Sequence, residues 1–207
     1  VSAAALHLHN KFLALLFSAQ QPGEFVRLYA PLTEAKSLRR NVRFTMKSYL
    51  ACAYEAMGKY DKALSVLGAM PEQKGARQRQ AQAIIAAQRC GVYLSMGKTD
   101  KAKQEYQALQ TAGNGAVREQ TAELLRIRIA LTEGKSTKED EAYVLLAISK
   151  AATLLQKNDL KLLLGRRSEK SSENSEKNAT RNKTPISTGF TVRAKRTIVR
   201  GFFSTAA

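Results

Sequence analysis

Cysteine is scarce in this chain, with two residues among 207. Cys52 and Cys90 lie far apart in the sequence, and no CxxC motif or Cys/His cluster accompanies either of them. A structural zinc site needs ligands at close, regular spacing, so this pattern gives no support to one. Nothing in the spacing pairs the two cysteines as a disulfide. We therefore predict two small, buried or half-buried thiols in a reducing compartment and no bound metal.

Catalytic and nucleotide-binding motifs are also absent. The chain has no G-x-x-x-x-G-K-[ST] loop, no G-x-G-x-x-G fingerprint and no G-x-S-x-G elbow. His7 and His9 face different sides of a predicted helix, and Gly113-Asn114-Gly115 is typical of a turn between helices. The dense carboxylate run 139–141 stands where a helix should begin, a position that the helix dipole favours for acids. We predict a non-enzyme without a cofactor.

Long apolar runs are missing too. The most apolar stretch, residues 3–17, is interrupted by polar residues and falls short of the roughly 20 residues that a membrane-spanning helix needs. It also lacks the basic start and cleavage site of a secretory signal. We predict that it forms an amphipathic first helix. The sequence begins at Val1, so a processed N-terminus and a fragment boundary are both open.

Acidic residues are half as numerous as basic ones, 17 against 34, which leaves a formal charge of +17. Such a surface attracts phosphate backbones, acidic proteins or anionic membranes. Five basic residues recur at steps of three or four and would form one basic ridge if their segment were helical; the alternative is an ordinary solvated face. Aromatic residues are not interleaved with them, so RNA contact there is expected at the backbone level. The basic ridge comprises Lys36, Arg39, Arg40, Arg43 and Lys47.

An internal repeat is the strongest positive signal. The segment 54–63 and the segment 93–102 share Tyr, then Met-Gly-Lys, then Asp-Lys-Ala in one register. Weaker echoes surround Gly23 and Gly134, so the four glycines at 23, 58, 97 and 134 stand 35, 39 and 37 residues apart. A period in this range predicts stacked helical hairpins, each of which buries its apolar face against its neighbours.

Each repeat unit reads as helix, tight turn, helix. Glycine at 58 and 97 permits the left-handed backbone that closes the first helix. Asp61 and Asp100 then suit the first turn of the second helix, where the dipole favours negative charge. Alanine at 63 and 102 is small, as two closely crossing helices require.

With these residues the chain resembles the tetratricopeptide-repeat (TPR) family, whose unit of about 34 residues is a pair of antiparallel helices. The resemblance covers residues 42–112 well and is degenerate elsewhere; Lys47 and Arg89 replace apolar family positions. It implies an all-α, right-handed solenoid of about four antiparallel helical hairpins over residues 1–165. The match is carried by Leu50, Ala51, Tyr54, Gly58, Tyr60, Ala63 and Leu67, and again by Cys90, Tyr93, Gly97, Ala102 and Tyr106.

The resemblance also implies a binding groove, because the first helices of such repeats line a concave surface. Family members that capture chaperone C-termini carry a Lys, Asn and Arg clamp there. Ser48, Cys52, Ile84 and Gln88 stand at the clamp positions of this chain, so chaperone-tail capture is excluded. The implied lining is small and partly apolar, which favours an apolar partner segment. The partner groove comprises Thr45, Ser48, Cys52, Glu55, Ile84, Ala87, Gly91 and Leu94.

The last part of the chain changes character. Residues 166–188 are rich in Ser, Asn, Lys and Glu and cannot bury enough apolar surface to order, so we predict a flexible linker. Residues 189–207 combine cations with phenylalanines and no acids, which suits docking onto a partner; a solvated tail is the alternative. The tail-docking residues are Phe190, Arg193, Lys195, Arg196, Arg200, Phe202 and Phe203.

Together these features predict a non-catalytic scaffold or adaptor subunit that binds other proteins within a larger assembly. The alternative is an RNA-backbone-contacting subunit of a ribonucleoprotein, such as an organellar ribosome. A membrane-surface adaptor that uses the basic tail is a third hypothesis. The basic, acid-free segments favour an intracellular location in the mitochondrion over the cytosol.

Overall fold

The structure, a computed structural model, describes residues 3–35, 37–112, 116–151, 157, 160 and 161. These residues are all-helical, with no strand among them, as the sequence predicted. The first helix coincides with the predicted apolar stretch. The described helices are α1 (Ala3–Phe17), α2 (Pro22–Thr33), α3 (Arg40–Ala56), α4 (Tyr60–Gly68), α5 (Ala76–Ser95), α6 (Thr99–Thr111), α7 (Ala116–Glu133) and α8 (Lys138–Lys150).

The turn after α3 has the geometry that the sequence predicted. Gly58 adopts φ 71°, its N–H donates to the carbonyl of Glu55 at 2.9 Å, and the N–H of Lys59 donates to Tyr54 at 2.9 Å. This pair of hydrogen bonds is the Schellman motif, which satisfies the last carbonyls of a helix. Gly97 and Gly134 close α5 and α7 in the same way, with φ values of 73° and 74°.

The first hairpin turn differs from the prediction, because its left-handed residue is Gln20 and not Gly23. Gln20 has φ 53°, and the N–H of Gln21 donates to the carbonyl of Leu15 at 2.8 Å. Gly23 lies within α2, immediately after Pro22. The left-handed residues at 20, 58, 97 and 134 therefore stand 38, 39 and 37 residues apart, a more even spacing than that of the glycines.

The second helices begin as expected. Asp61 and Asp100 occupy the first turns of α4 and α6, while Ala63 and Ala102 are completely buried where the helices cross. The start of α8 carries a capping box, in which the Thr137 side chain and the Asp140 carboxylate accept from each other's backbone N–H. The acidic run at 139–141 therefore serves the helix terminus.

Each helix packs mainly on its neighbours along the chain, and α5 also contacts α3 and α7. The core is correspondingly divided into four clusters, which lie in chain order between α1 and α3, α3 and α5, α5 and α7, and α7 and α8. Leu160 joins the last cluster, where it is 2% exposed. This nearest-neighbour burial is the arrangement that a helical repeat requires.

The first helix of each hairpin is longer than the second. The first helices have 15, 17, 20 and 18 residues, and the second helices have 12, 9, 13 and 13. Because the turns are equally tight, the additional length extends the N-terminal ends of α3, α5 and α7. Five basic residues lie at those ends: Arg40, Arg43, Arg77, Arg79 and Arg118.

Several predictions concern residues outside the described ranges. These are Lys36 of the basic ridge, the turn 113–115, the linker 166–188 and the tail 189–207 with all its tail-docking residues.

Candidate functional site

The predicted partner groove does not form an open lining. Ser48, Cys52 and Glu55 of α3 are 3–5% exposed, and Ala87 and Leu94 of α5 are 7% exposed. Gly91 is buried as well, whereas Thr45 and Ile84 are half-buried. Ala87 and Leu94 belong to the core cluster of α5, α6 and α7, and Cys52 belongs to that of α1, α2 and α3. Six of the eight groove residues therefore present almost no surface to a partner in this structure.

Gln88 shows how α3 and α5 meet at this face. Its Nε2 donates to the backbone carbonyl of Ser48 at 3.0 Å and lies 3.0 Å from the Sγ of Cys52. Gln88 is 6% exposed, and its Oε1 has no hydrogen-bond partner in the described part of the chain. Chaperone-binding members of the TPR family carry a cation of the clamp at this position. In this chain the Gln88 side chain instead connects two hairpins.

A second polar contact spans three first helices. The Ser95 hydroxyl donates to the Glu55 carboxylate at 3.1 Å, and Arg128 of α7 lies close enough to act on the same carboxylate. Burial raises the pKa of Glu55 to about 7, although Arg128 and the Ser95 hydrogen bond oppose this. Arg128 is 3% exposed, and its Nη1 finds no hydrogen-bond partner among the described residues. These buried polar groups link consecutive hairpins.

The basic ridge is not a continuous helical row. Helix α3 begins only at Arg40, and Arg39 before it has an extended backbone with ψ 145°. Arg43 donates from Nη2 to the carbonyl of Ala35 at 2.9 Å, so it anchors the preceding loop. Lys47 has a largely buried side chain and pairs with Glu34 at 3.4 Å. The exposed members in the described ranges are therefore Arg39 and Arg40.

A polar cleft that the sequence did not reveal lies between the N-terminal halves of α3 and α5. Its volume is about 230 Å³. Two predicted groove residues with some exposure, Thr45 and Ile84, contribute to it. No acidic residue belongs to the lining, which comprises Asn41, Phe44, Thr45, Ser48, Tyr49, Gln73, Arg77, Gln80, Ala81 and Ile84. In the sequence, the feature that could have indicated this cleft is that α3 and α5 both begin with basic residues and without acidic ones.

A larger cleft of about 480 Å³ lies between α7 and α8. Leu146, which lines it, and Leu145, the preceding residue, are 51% and 53% exposed, although Val144 and Ala147 on the same helix are buried. The cleft is lined by Glu119, Gln120, Glu123, Tyr143, Leu146, Ala147 and Lys150. Sequence reasoning missed it because the fourth repeat is degenerate, so its buried face could not be assigned.

The remaining candidate groups have structural surroundings. His9 packs between the rings of Tyr29 and Tyr49 at centroid distances of 6.0 and 6.1 Å, and partial burial lowers its pKa. His7 is exposed. Cys52 and Cys90 are buried, as predicted. Burial raises the pKa of Cys90 to about 12.

The described ranges bring no three His, Cys, Asp or Glu side chains together in an arrangement that could hold a metal. Among the same residues, no helix combines the length and apolar character that crossing a bilayer demands. Comparison with family models, with curated proteins and with solved structures found no match to this chain.

Proposed function

We propose that this protein is a non-catalytic, TPR-like scaffold that holds partner proteins in a multi-subunit assembly. Three successive hairpins closed by the same turn support this proposal, because repetition of one unit builds an extended surface rather than a single catalytic pocket. The unit is a lengthened variant, with turns 37–39 residues apart where the family unit has about 34. The contacts of Gln88 and Ser95 would fix how one hairpin sits on the next.

The observation that carries the proposal is the exposed apolar face of the last described hairpin. Leu146 lines the 480 Å³ cleft and is 51% exposed, and Leu145, its neighbour in the chain, is 53% exposed. Adjacent exposed leucines at a cleft mark a site of protein contact more often than isolated ones do. Glu119, Glu123 and Lys150 border the cleft, and Glu123 is paired with Arg126, so the partner that fits is a helical segment with an apolar stripe and polar flanks.

A purification experiment tests the proposal. The full-length tagged protein is isolated from cells, treated with ribonuclease, and its bound proteins are identified by mass spectrometry. We expect a defined set of partners to survive digestion and to be lost from a Leu145→Glu, Leu146→Glu double variant. Leu8→Glu is the matched control, since Leu8 is equally exposed, at 50%, on α1.

Two outcomes would contradict this assignment. If the partners were lost on ribonuclease treatment, RNA and not a protein–protein contact would hold them to this protein. If the double variant and the Leu8 control retained the partners equally, α8 would not be the docking face. Light scattering of the purified protein separates a second copy of this chain from a different partner, because only self-association doubles the mass without added protein.

A further inference from the structure

The polar cleft between α3 and α5 lies at two helix N-termini that carry no acidic residue in their first turns. The N-cap residues are Arg39 and Gly75, and neither makes a side-chain capping hydrogen bond. Arg77 lines the cleft directly. Free N–H groups, the positive end of the helix dipole and a guanidinium all favour an anion, so this end of the molecule is electrostatically complementary to phosphate.

The positive charge extends beyond the cleft on both helices. Arg39 and Arg40 precede the lining residue Asn41, and Arg79 precedes the lining residue Gln80. All three arginines are exposed. Lys74, also exposed, adds charge on the loop before α5. A row of cations longer than one phosphate group is suited to a polyanion, since each further contact releases counterions and adds to the affinity.

The cleft itself offers more than charge. Tyr49 and Ile84, both half-buried, supply aromatic and apolar surface, and Asn41 and Gln80 supply side-chain amides. Aromatic surface beside amides is how proteins hold an unpaired base, whose edges need hydrogen bonds and whose faces need apolar contact.

We propose that this cleft binds single-stranded RNA, with one base inside it and the adjoining phosphates on Arg77, Arg40 and the two helix N-termini. This role is separate from the scaffold function and uses a different part of the surface. The proposed binding also involves more than the RNA backbone, because a base in the cleft would add to the affinity.

The first test is fluorescence anisotropy of a labelled single-stranded oligoribonucleotide of mixed sequence, titrated with the full-length protein over a series of salt concentrations. For an Arg40→Ala, Arg77→Ala double variant we expect affinity to fall about tenfold at moderate salt, and the salt slope to decrease by about 1.4. Both side chains are exposed in this structure, so the fold is expected to persist; thermal melting checks this.

The matched control is a Lys59→Ala, Lys98→Ala double variant. It removes the same charge from the hairpin turns, about 25 Å away at the other ends of α3 and α5. We expect it to change affinity less than twofold. Equal losses in the two double variants would overturn the proposal in favour of diffuse attraction by net charge, which is +17 for the whole chain.

The second test isolates the base. An Asn41→Ala, Gln80→Ala variant leaves the charge unchanged, so RNA affinity should fall at least threefold while affinity for inorganic polyphosphate, which has no bases, stays constant. Parallel losses for RNA and polyphosphate would contradict a base-binding cleft. Binding to vesicles that contain anionic lipid, without measurable binding to RNA, would also overturn it and identify a membrane surface instead.

Discussion

The hydroxyl of Ser95 donates a hydrogen bond of 3.1 Å to the carboxylate of Glu55, forty residues earlier in the chain. The contact joins α5 to α3 inside a region where Glu55 is only 5% exposed. A carboxyl group in such surroundings is stabilised in its neutral form, so burial raises its pKa to about 7. Burial and the Ser95 hydrogen bond therefore act on the Glu55 pKa in opposite directions, and burial has the larger effect.

The stability of the protein should depend on pH through Glu55. Its pKa is 4.5 ordinarily and about 7 when folded, so the folded state binds the proton more tightly. That stabilisation is complete below pH 4.5, declines as pH rises, and is lost above about 7; it amounts to about 3 kcal/mol. Glu55→Gln should remove most of this decline and raise the free energy of unfolding at pH 8.

Urea unfolding at pH 5 and pH 8 measures this difference. Glu72→Gln serves as the control, since Glu72 is an exposed carboxylate on the loop before α5. If wild type and Glu55→Gln lost stability equally between the two pH values, the carboxyl at position 55 would not be the titrating group. Glu105 in α6, whose pKa is also raised by burial, is the carboxyl group that such a result would implicate.

The turn at Gln20 should be improved by glycine. Gln20 adopts φ 53°, which costs a residue with a side chain about 1 kcal/mol relative to glycine. We expect Gln20→Gly to raise the free energy of unfolding by about 0.5–1 kcal/mol, as measured by urea unfolding. Gln21→Gly is the control: Gln21 has φ −109°, so glycine there should be neutral or destabilising. Stabilisation by both substitutions would show that loop flexibility, not the left-handed backbone, is responsible.

Gly97 and Gly68 should respond to alanine with opposite signs. A Cβ at either position would meet no other described atom within 4 Å, so steric contact does not distinguish them. Gly97 has φ 73° and Gly68 is the last residue of α4. We expect Gly97→Ala to cost about 1 kcal/mol and Gly68→Ala to gain about 0.5 kcal/mol, by urea unfolding. If Gly97→Ala left the free energy of unfolding unchanged, position 97 would not require a left-handed backbone.

The two cysteines should report on unfolding. Cys52 and Cys90 are buried, and a pKa of about 12 keeps the Cys90 thiol protonated at neutral pH. We expect a thiol-specific reagent such as Ellman's reagent to label neither residue in the folded protein and both in urea. Ser65→Cys, on the exposed face of α4, is the control and should react at once. Rapid labelling of the wild type would mean that the first helices separate readily.

Much of the local structure follows from the chain alone. Left-handed glycines at 58, 97 and 134, acids at the starts of α4 and α6, and buried alanines at 63 and 102 were all predicted correctly. Each depends on the conformational freedom or size of one residue, which needs no knowledge of its neighbours. The prediction that the first turn lies at Gly23 was wrong. Glycine is the residue expected in a left-handed turn, and nothing in the sequence marks a glutamine as left-handed.

The candidate sites required tertiary structure. The sequence by itself determined the excess of positive charge and, over the residues that the structure describes, helices in repeated hairpins, since periodicity and turn residues act within one hairpin. How closely α3, α5 and α7 pack was decided only by the fold: it buries Glu55 and Cys52, opens the cleft at Arg77, and leaves Leu146 exposed. The burial of a side chain depends on contacts with the neighbouring hairpin. Residues about forty positions apart in the chain therefore determine together which surface stays exposed to a partner.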